Sequence, residues 1–463
     1  LPVGGSVSVP RQDHRMIQAL RRSPYDREII RIGLPALGAL AADPLVSLVD
    51  TAFVGRLGAA ALAAVAIASA IYVAVFAVFN FLEYAVTPLV AQAIGSGDRA
   101  EAGRYTVAAL VVSAAGGTIA ATVLIVFSDP LLRVFGAGAE VVESATTYLR
   151  IRALGVPALL VILVGHGAFR GYQDTRTPLM VTLGLNTVNL VLDPILIFGL
   201  GWGVAGAAWA TVVAQWFGAA WFLALFFWTR RTELSIGFGF PERRALGSLT
   251  GAGRVLILRN ASLLAALTAA TIVAARVDTA SVAAHQIAMQ LWIFMALVID
   301  AFAIAGQAIV GKELGADQPA VARAVSNRLL ALGVSFGVLL AAVLALVSPW
   351  LGSWFTSDEA VLAAFGSILP ILILMQPING SVFVWDGIAI GAAAFSLLAW
   401  SALAAAAAAI GVLLLVIPLG WSLVGVWTGI VVLMLVRAMT LWWWYGSRFA
   451  APERDPSPSF PGG

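Results

Sequence analysis

A chain of 463 residues that is 61% hydrophobic and 11% charged, with a mean hydropathy of +0.95, lies far from soluble globular composition, where about 25% of residues carry charge. That excludes a soluble enzyme, a disordered chain and a secreted disulfide scaffold, and a net charge of only +3 excludes a nucleic-acid binder, which needs clustered cations. Zero cysteines and three scattered histidines (His14, His166, His285) leave no thiol chemistry, zinc site or cofactor to expect, so a polytopic membrane protein remains.

A spanning helix needs roughly 20 apolar residues. With Gly, Pro and charge clusters as punctuation, the sequence predicts twelve spans: 31–54, 62–92, 105–127, 146–169, 178–199, 205–228, 254–275, 282–311, 325–347, 361–386, 395–417 and 424–446. The stretch ahead of the first span, 1–30, is polar and Arg-rich. It has no short apolar run ending in a small-residue cleavage site, so no leader is expected there. Spans two and eight are the longest and are expected to tilt or project past the bilayer. Placing the N-terminus inside puts 22 of the 27 cations on the cytoplasmic side. Arg56, Arg133, Arg150, Arg152 and Arg276 fall outside, a strong positive-inside signal. Both termini are therefore expected in the cytoplasm, with 31–228 as a first lobe, 229–253 as a basic cytoplasmic linker, 254–446 as a second lobe and 447–463 as a cytoplasmic tail. The run Trp442-Trp443-Trp444-Tyr445 reads as an interfacial aromatic belt.

The two lobes are copies. A shift of 220 aligns Ala63-Ala64-Val65-Ala66-Ile67 with Ala283-Ala284-His285-Gln286-Ile287, Val90 through Gly95 with Val310 through Gly315, Pro157 with Pro377, and Gly167 and Gly171 with Gly387 and Gly391. Six spans per copy make the repeat parallel, with a pseudo-two-fold axis along the membrane normal and a central cleft suited to alternating access.

Acids inside a bilayer cost roughly 2.5–3.5 kcal/mol on insertion scales and need a reason to be there. Asp43 and Asp50, seven apart in span one, share a helix face. Span five carries Thr182, Asn186, Asn189 and Asp193 as a stripe along one face. Asp50 and Asp193 lie near the outer ends of their spans, at similar depth. Two carboxylates in one low-dielectric pocket cannot both ionise cheaply, so the pair is suited to take a proton, or to share a monovalent cation with the carbonyl of Asn189. Asp50 matches Ala270 in the repeat, and Asp193 matches Val412 or Leu413. The polar constellation is thus expected in the first lobe alone, which argues against simple helix-to-helix glue. Asp300 matches Asn80 and is a secondary candidate, while Glu83 and Asp386 lie near helix ends, where acids can reach the interface. Pro35 and Pro44 share span one with Asp50 and can bend it. No phosphate-binding loop is present, so energy is expected from an ion gradient.

The chain resembles the multidrug and toxic compound extrusion (MATE) transporters, specifically their DinF-like branch. The resemblance rests on Pro35 and Val49-Asp50-Thr51-Ala52-Phe53-Val54-Gly55, the run Gly167 through Pro178, Asn189-Leu190-Val191-Leu192-Asp193-Pro194, Gly203 through Ala208, Ala283 through Ile287, and Trp385 through Gly391, and it covers about residues 28–446. It implies twelve spans in two six-helix lobes and H⁺- or Na⁺-coupled export of organic, often cationic, compounds. It also implies a cation-linked site in the first lobe at Asp50, Tyr148, Asn189, Asp193 and Thr211, with bending at Pro35 accompanying protonation. One departure stands out: the second-lobe counterpart of Asp174 is Ala394.

The expected function is therefore a multi-pass antiporter of the cell membrane, working as a monomer, with a small organic substrate, H⁺ or Na⁺ and the lipid bilayer as partners. It is not expected to be an enzyme or to bind nucleic acid. A lipid-linked oligosaccharide flippase is the nearest rival. Such a protein would carry a cationic central cavity, and the spans show few arginines. A membrane-embedded enzyme would need a metal set or activated nucleophile, and a non-transporting receptor or scaffold would not call for the acid pair.

Overall fold

The structure, a computed structural model, describes residues 23–237 and 239–449. Expectations about His14, the chain before residue 23 and the tail beyond residue 449 lie outside the described residues. Among those residues all regular structure is helical. The first lobe runs α1 (Asp26–Gly55), α2 (Ala59–Phe79), α3 (Phe81–Gly95), α4 (Arg99–Val126), a short α5 (Ser128–Val134), α6 (Ala139–Ala153), α7 (Val156–Gly171), α8 (Arg176–Pro194) and α9 (Gly203–Ala224). The second runs α10 (Arg243–Val277), α11 (Thr279–Gly315), α12 (Pro319–Leu351), α13 (Glu359–Leu374), α14 (Gln376–Gly391), α15 (Phe395–Val416) and α16 (Leu423–Phe449).

Among the described residues ten segments are long and apolar enough to cross a bilayer, and two bent pairs, each counted as one span, complete the twelve predicted spans. The bent pairs are α6–α7, at 47°, and α13–α14, at 52°. These are spans four and ten, which the sequence presents as single runs. They break at repeat-related places, and Pro157 and Pro377 open the second half in each. Proline is tolerated in a first helical turn because the N–H it lacks would be unsatisfied there anyway. The linker is shorter than 229–253, because α10 begins at Arg243. Span two divides into α2 and α3 at Asn80, whereas α11 runs unbroken through the matching Asp300.

The helix starts at Asp26, Arg99, Arg243 and Pro319 define one face of the bundle, which also gathers Arg99, Arg230, Arg243, Arg244 and Arg323 and is called here the basic face. The lobes meet closely at this face. Gly95 of α3 lies against the carbonyl of Lys312, and Gly315 of α11 lies against that of Gln92. The residues in each of the pairs 95/315 and 92/312 are 220 apart, so the crossing sits on the pseudo-two-fold axis. A Cβ at either glycine would collide with backbone. Gln92 Nε2 donates to Gly391 O at 2.9 Å, and Gln173 Nε2 donates to Ala308 O at 2.8 Å, both across the lobe boundary.

Candidate functional site

The stripe on α8 faces α1, and each of its members has a neighbour waiting. Thr182 Oγ1 lies 3.2 Å from His166 Nε2 of α7. Asn186 Nδ2 donates to Asp43 Oδ1 at 3.0 Å. Asn189 satisfies its surroundings when its amide nitrogen faces Asp50, donating to both carboxylate oxygens at 3.2 Å. The amide Oδ1 then lies 3.5 Å from Thr211 Oγ1 of α9, whose single hydroxyl hydrogen can serve that oxygen or Ala207 O at 3.0 Å. Asp193 is 1% exposed, and among the described residues neither of its oxygens finds a donor. Asp50 is within hydrogen-bonding reach of it once one of the two carries a proton.

All these groups line one cavity of about 320 Å³ in the first lobe. Asp43, Asp50, Tyr148, Asn186, Asn189, Asp193 and Thr211 are brought together there. Pro35 lies on α1, two turns before Asp43, and Asp300 lies elsewhere, on α11. The corresponding region of the second lobe is closed by small side chains. Ala266 of α10 packs with Ala405, Ala406 and Ala409 of α15, and Ala270 is fully buried. Where the first lobe holds a polar cavity, the second holds an alanine seam.

Sequence reasoning missed Arg152. Its position near the start of span four made it look like an outer topogenic cation, but it lines the same cavity as the acids. Its Nη1 donates to Gln215 Oε1 at 3.3 Å, and its guanidinium stands 4.2 Å over the Tyr72 ring. The missed signal is its place four residues after Tyr148, hence on the same helix face.

A second buried network crosses the middle of the bundle, and it corrects the impression that the spans contain few arginines. Arg170 of α7 pairs with Glu83 of α3. Arg259 of α10, at 2.7 Å, and Arg437 of α16 share Asp386 of α14. All five side chains are buried, so Glu83 and Asp386 do not reach the interface as expected. Instead each charge is carried into the bundle with its partner, the arrangement that buried ions require. Asp300 is close enough to Arg170, Glu83, Arg259 and Asp386 to feel their charge. The count of arginines therefore does not exclude the flippase reading.

At the basic face Asp174 accepts from the backbone N–H of Arg176 and Thr177 at 3.1 and 3.0 Å, opening α8, and pairs with Arg230 at 2.8 Å. Its counterpart Ala394 opens α15 with no side-chain cap.

Residues 35–195 and 256–422 match the family model described as MatE. Protein DETOXIFICATION 44, chloroplastic, of Arabidopsis thaliana is 35% identical, over 97% of this chain and 88% of that protein. DNA damage-inducible protein F of Escherichia coli (strain K12) is 28% identical, over 97% of this chain and all of that one (100%). Among solved structures, an outward-facing multidrug resistance MATE family transporter of the MOP superfamily superposes with a TM-score of 0.81 at 24% identity, covering 94% of this chain and 98% of that one. A MOP superfamily transporter from Pyrococcus furiosus, whose binding pocket is described as of reverse polarity, gives 0.82 at 25% identity with the same coverage.

Proposed function

The chain belongs to the MATE family of multidrug and detoxification transporters, and from that premise we propose that it is a cation-coupled antiporter, driven by H⁺ or Na⁺. Its cargo is organic compounds of cationic or amphipathic character, its route is alternating access, and the first-lobe cavity is the coupling site. The observation that carries this reading is Asp193. A carboxylate that is 1% exposed, without a donor and facing a second carboxylate, is costly in every state except one in which something positive is shared between the two.

In the proposed cycle the cavity opens away from the basic face and Asp50 and Asp193 take up the coupling cation. Relieved of its charge, α1 rearranges about Pro35 and the cargo leaves. The lobes then rock, the cation departs toward the basic face and new cargo enters. One charge crossing 100 mV yields about 2.3 kcal/mol, enough for roughly a 50-fold cargo gradient at about 1.4 kcal/mol per decade. The basic face is assigned to the cytoplasm of a cell membrane, with both termini there. Setting aside the cavity and bundle arginines 152, 170, 259 and 437, thirteen of the cations with described side chains lie on that side and four on the other.

The test is efflux of a cationic dye from proteoliposomes under separately imposed pH and Na⁺ gradients. The wild-type chain is expected to respond to at least one gradient, and Asp50→Asn and Asp193→Asn to lose that response. Full coupled export by either variant would overturn the assignment.

A further inference from the structure

We infer that a groove between α1, α11 and α12 holds one acyl tail of an anionic glycerophospholipid, with the Arg27 guanidinium meeting its phosphate. The inference needs the bundle to cross a bilayer and is independent of the coupling site. The groove measures about 370 Å³. Its walls are Ile30, Leu34 and Leu37 of α1, Phe302 of α11, and Leu332 and Phe336 of α12. The Phe302 and Phe336 rings lie 5.7 Å apart at 55°. At the floor α1 comes close to α11, since a Cβ on Gly33 would stand 3.3 Å from the Ala301 carbonyl oxygen. Asp26 is the one charged residue of the lining, and it marks the end at the basic face.

Length, facing and charge identify the occupant. From Asp26 to Leu37 is eleven residues of helix, ~16 Å at ~1.5 Å per residue, which is about half of a hydrocarbon core ~30 Å thick. The groove thus runs the depth of one leaflet. The lobes are sealed at this face by the 95/315 crossing and the bonds from Gln92 and Gln173. Ile30 and Leu34, 59% and 63% exposed, therefore face the bilayer and not the cleft. At the mouth the acids are already engaged: Asp26 by Arg328 at 2.6 Å, and Glu28 by Lys312 and Arg31, each at 3.6 Å. Arg27 is exposed, and among the described residues no acid pairs with it. It lies three residues before Ile30 and seven before Leu34, so it stands on the same side of the helix, nearer the basic face. An unpaired cation above an apolar slot complements a phosphate above a tail, and it disfavours a cationic cargo at this mouth. Inside a bilayer no hydrophobic effect drives a tail from lipid into protein. Affinity comes instead from close contact within the slot and from the ion pair at headgroup depth. Because the lining residues lie on both sides of Pro35, a lodged tail ties both halves of α1 to the second lobe.

The test uses the full chain in detergent, offered an equimolar mixture of phosphatidylglycerol and phosphatidylcholine with identical tails, and counts retained lipid by native mass spectrometry. The wild-type chain is expected to hold one phospholipid, with phosphatidylglycerol favoured about fivefold, the worth of one basic residue beside anionic lipid. Arg27→Gln is expected to keep a lipid and lose the preference. Leu332→Trp, which fills the slot with an indole, is expected to lose the lipid. Equal retention of the two lipids by the wild-type chain would overturn the inference, as would a folded Leu332→Trp that holds lipid like the wild type. Displacement of the lipid by excess cationic dye would also overturn it and make the groove a cargo path, and a lipid-free dimer would make it a subunit interface. If Leu332→Trp fails to fold, Arg27→Gln decides alone, and an unchanged headgroup preference there sinks the inference.

Discussion

Asp174 has a function outside the membrane that a single substitution can isolate. Burial alone would raise its carboxyl, but hydrogen bonds from the Thr177 side chain, from Arg230 and from the Thr177 backbone hold it below the ordinary carboxylate value. A carboxylate held low stabilises the fold at all pH above its unfolded value, near 3.9, and loses that contribution as pH falls through the lower folded value. Asp174→Ala is expected to cost about 1–2 kcal/mol at pH 7, the usual worth of an N-cap. The gap between variant and wild type in thermal melts should narrow below about pH 4. The residue was legible in the sequence as part of a motif, and so was its loss at Ala394. Asp50, Asn189 and Asp193 were legible for a different reason: their spacing and their absence from the second copy. Arg152 was not, because its spacing from Tyr148 gives a shared face but not a depth, and depth in the bundle depends on the 47° bend at Gly155 that hydropathy does not register. The ionic partners of Glu83 and Asp386 were hidden likewise, since they come from other spans: Arg170 of α7 for Glu83, and Arg259 of α10 and Arg437 of α16 for Asp386.

At the scale of the element, α1 is the helix that connects the cavity to the lobe boundary. Its later half carries Asp43 and Asp50 into the first-lobe cavity. Its first turns belong to the other lobe: Ile29 and Ile32 are buried among Ala305, Ala308, Ile309, Val325 and Ile388. Asp26 pairs with Arg328 of α12 through two contacts of 2.6 and 2.8 Å. Pro35 sits between these halves. Having no N–H, it frees the carbonyl of Arg31, and the Thr175 hydroxyl lies 3.5 Å from that oxygen while donating to Ile32 O at 2.8 Å. A side chain from the α7–α8 connection thus supports the backbone where the helix is weakest, and any bend at Pro35 must break or exchange this bond. Pro35→Ala restores the helical hydrogen bond and stiffens α1. Ion-gradient-driven dye export is expected to fall by on the order of tenfold if bending gates turnover, while the melting temperature does not fall. Undiminished export would show that α1 moves as a rigid rod. The proline and the acid were both visible in the sequence of span one, but the division of that span between two lobes was not, since it depends on contacts with residues some 280 positions away.

For the whole molecule, the repeat accounts for both the closure and the site. The two lobes followed from a period of 220, and the same period places Gly95 and Gly315 where the equivalent helices α3 and α11 meet. Because each glycine lies against the carbonyl of the other helix, α3 and α11 approach as closely as backbones can. The neighbouring bonds from Gln92 and Gln173 seal the basic face. The polar constellation of the first-lobe cavity has no second copy, so under the proposed function a symmetric scaffold would supply the motion and an asymmetric cavity the coupling. Enlarging one glycine should therefore disturb the closure and leave the cavity intact. Gly95→Leu and Gly315→Leu are each expected to open the basic face, because a side chain there must displace backbone and not merely a flexible neighbour. The chain contains no cysteine, so Ala308→Cys, at a fully buried position beside the seal, gives a clean reporter. Alone it should resist a charged maleimide added from the basic face, and with either leucine it should react faster by about tenfold, as a shift of some 1.4 kcal/mol in the closed–open balance would produce. Equal rates in all three chains would mean that the glycine crossing is only packing, and that the seal lies elsewhere in the bundle.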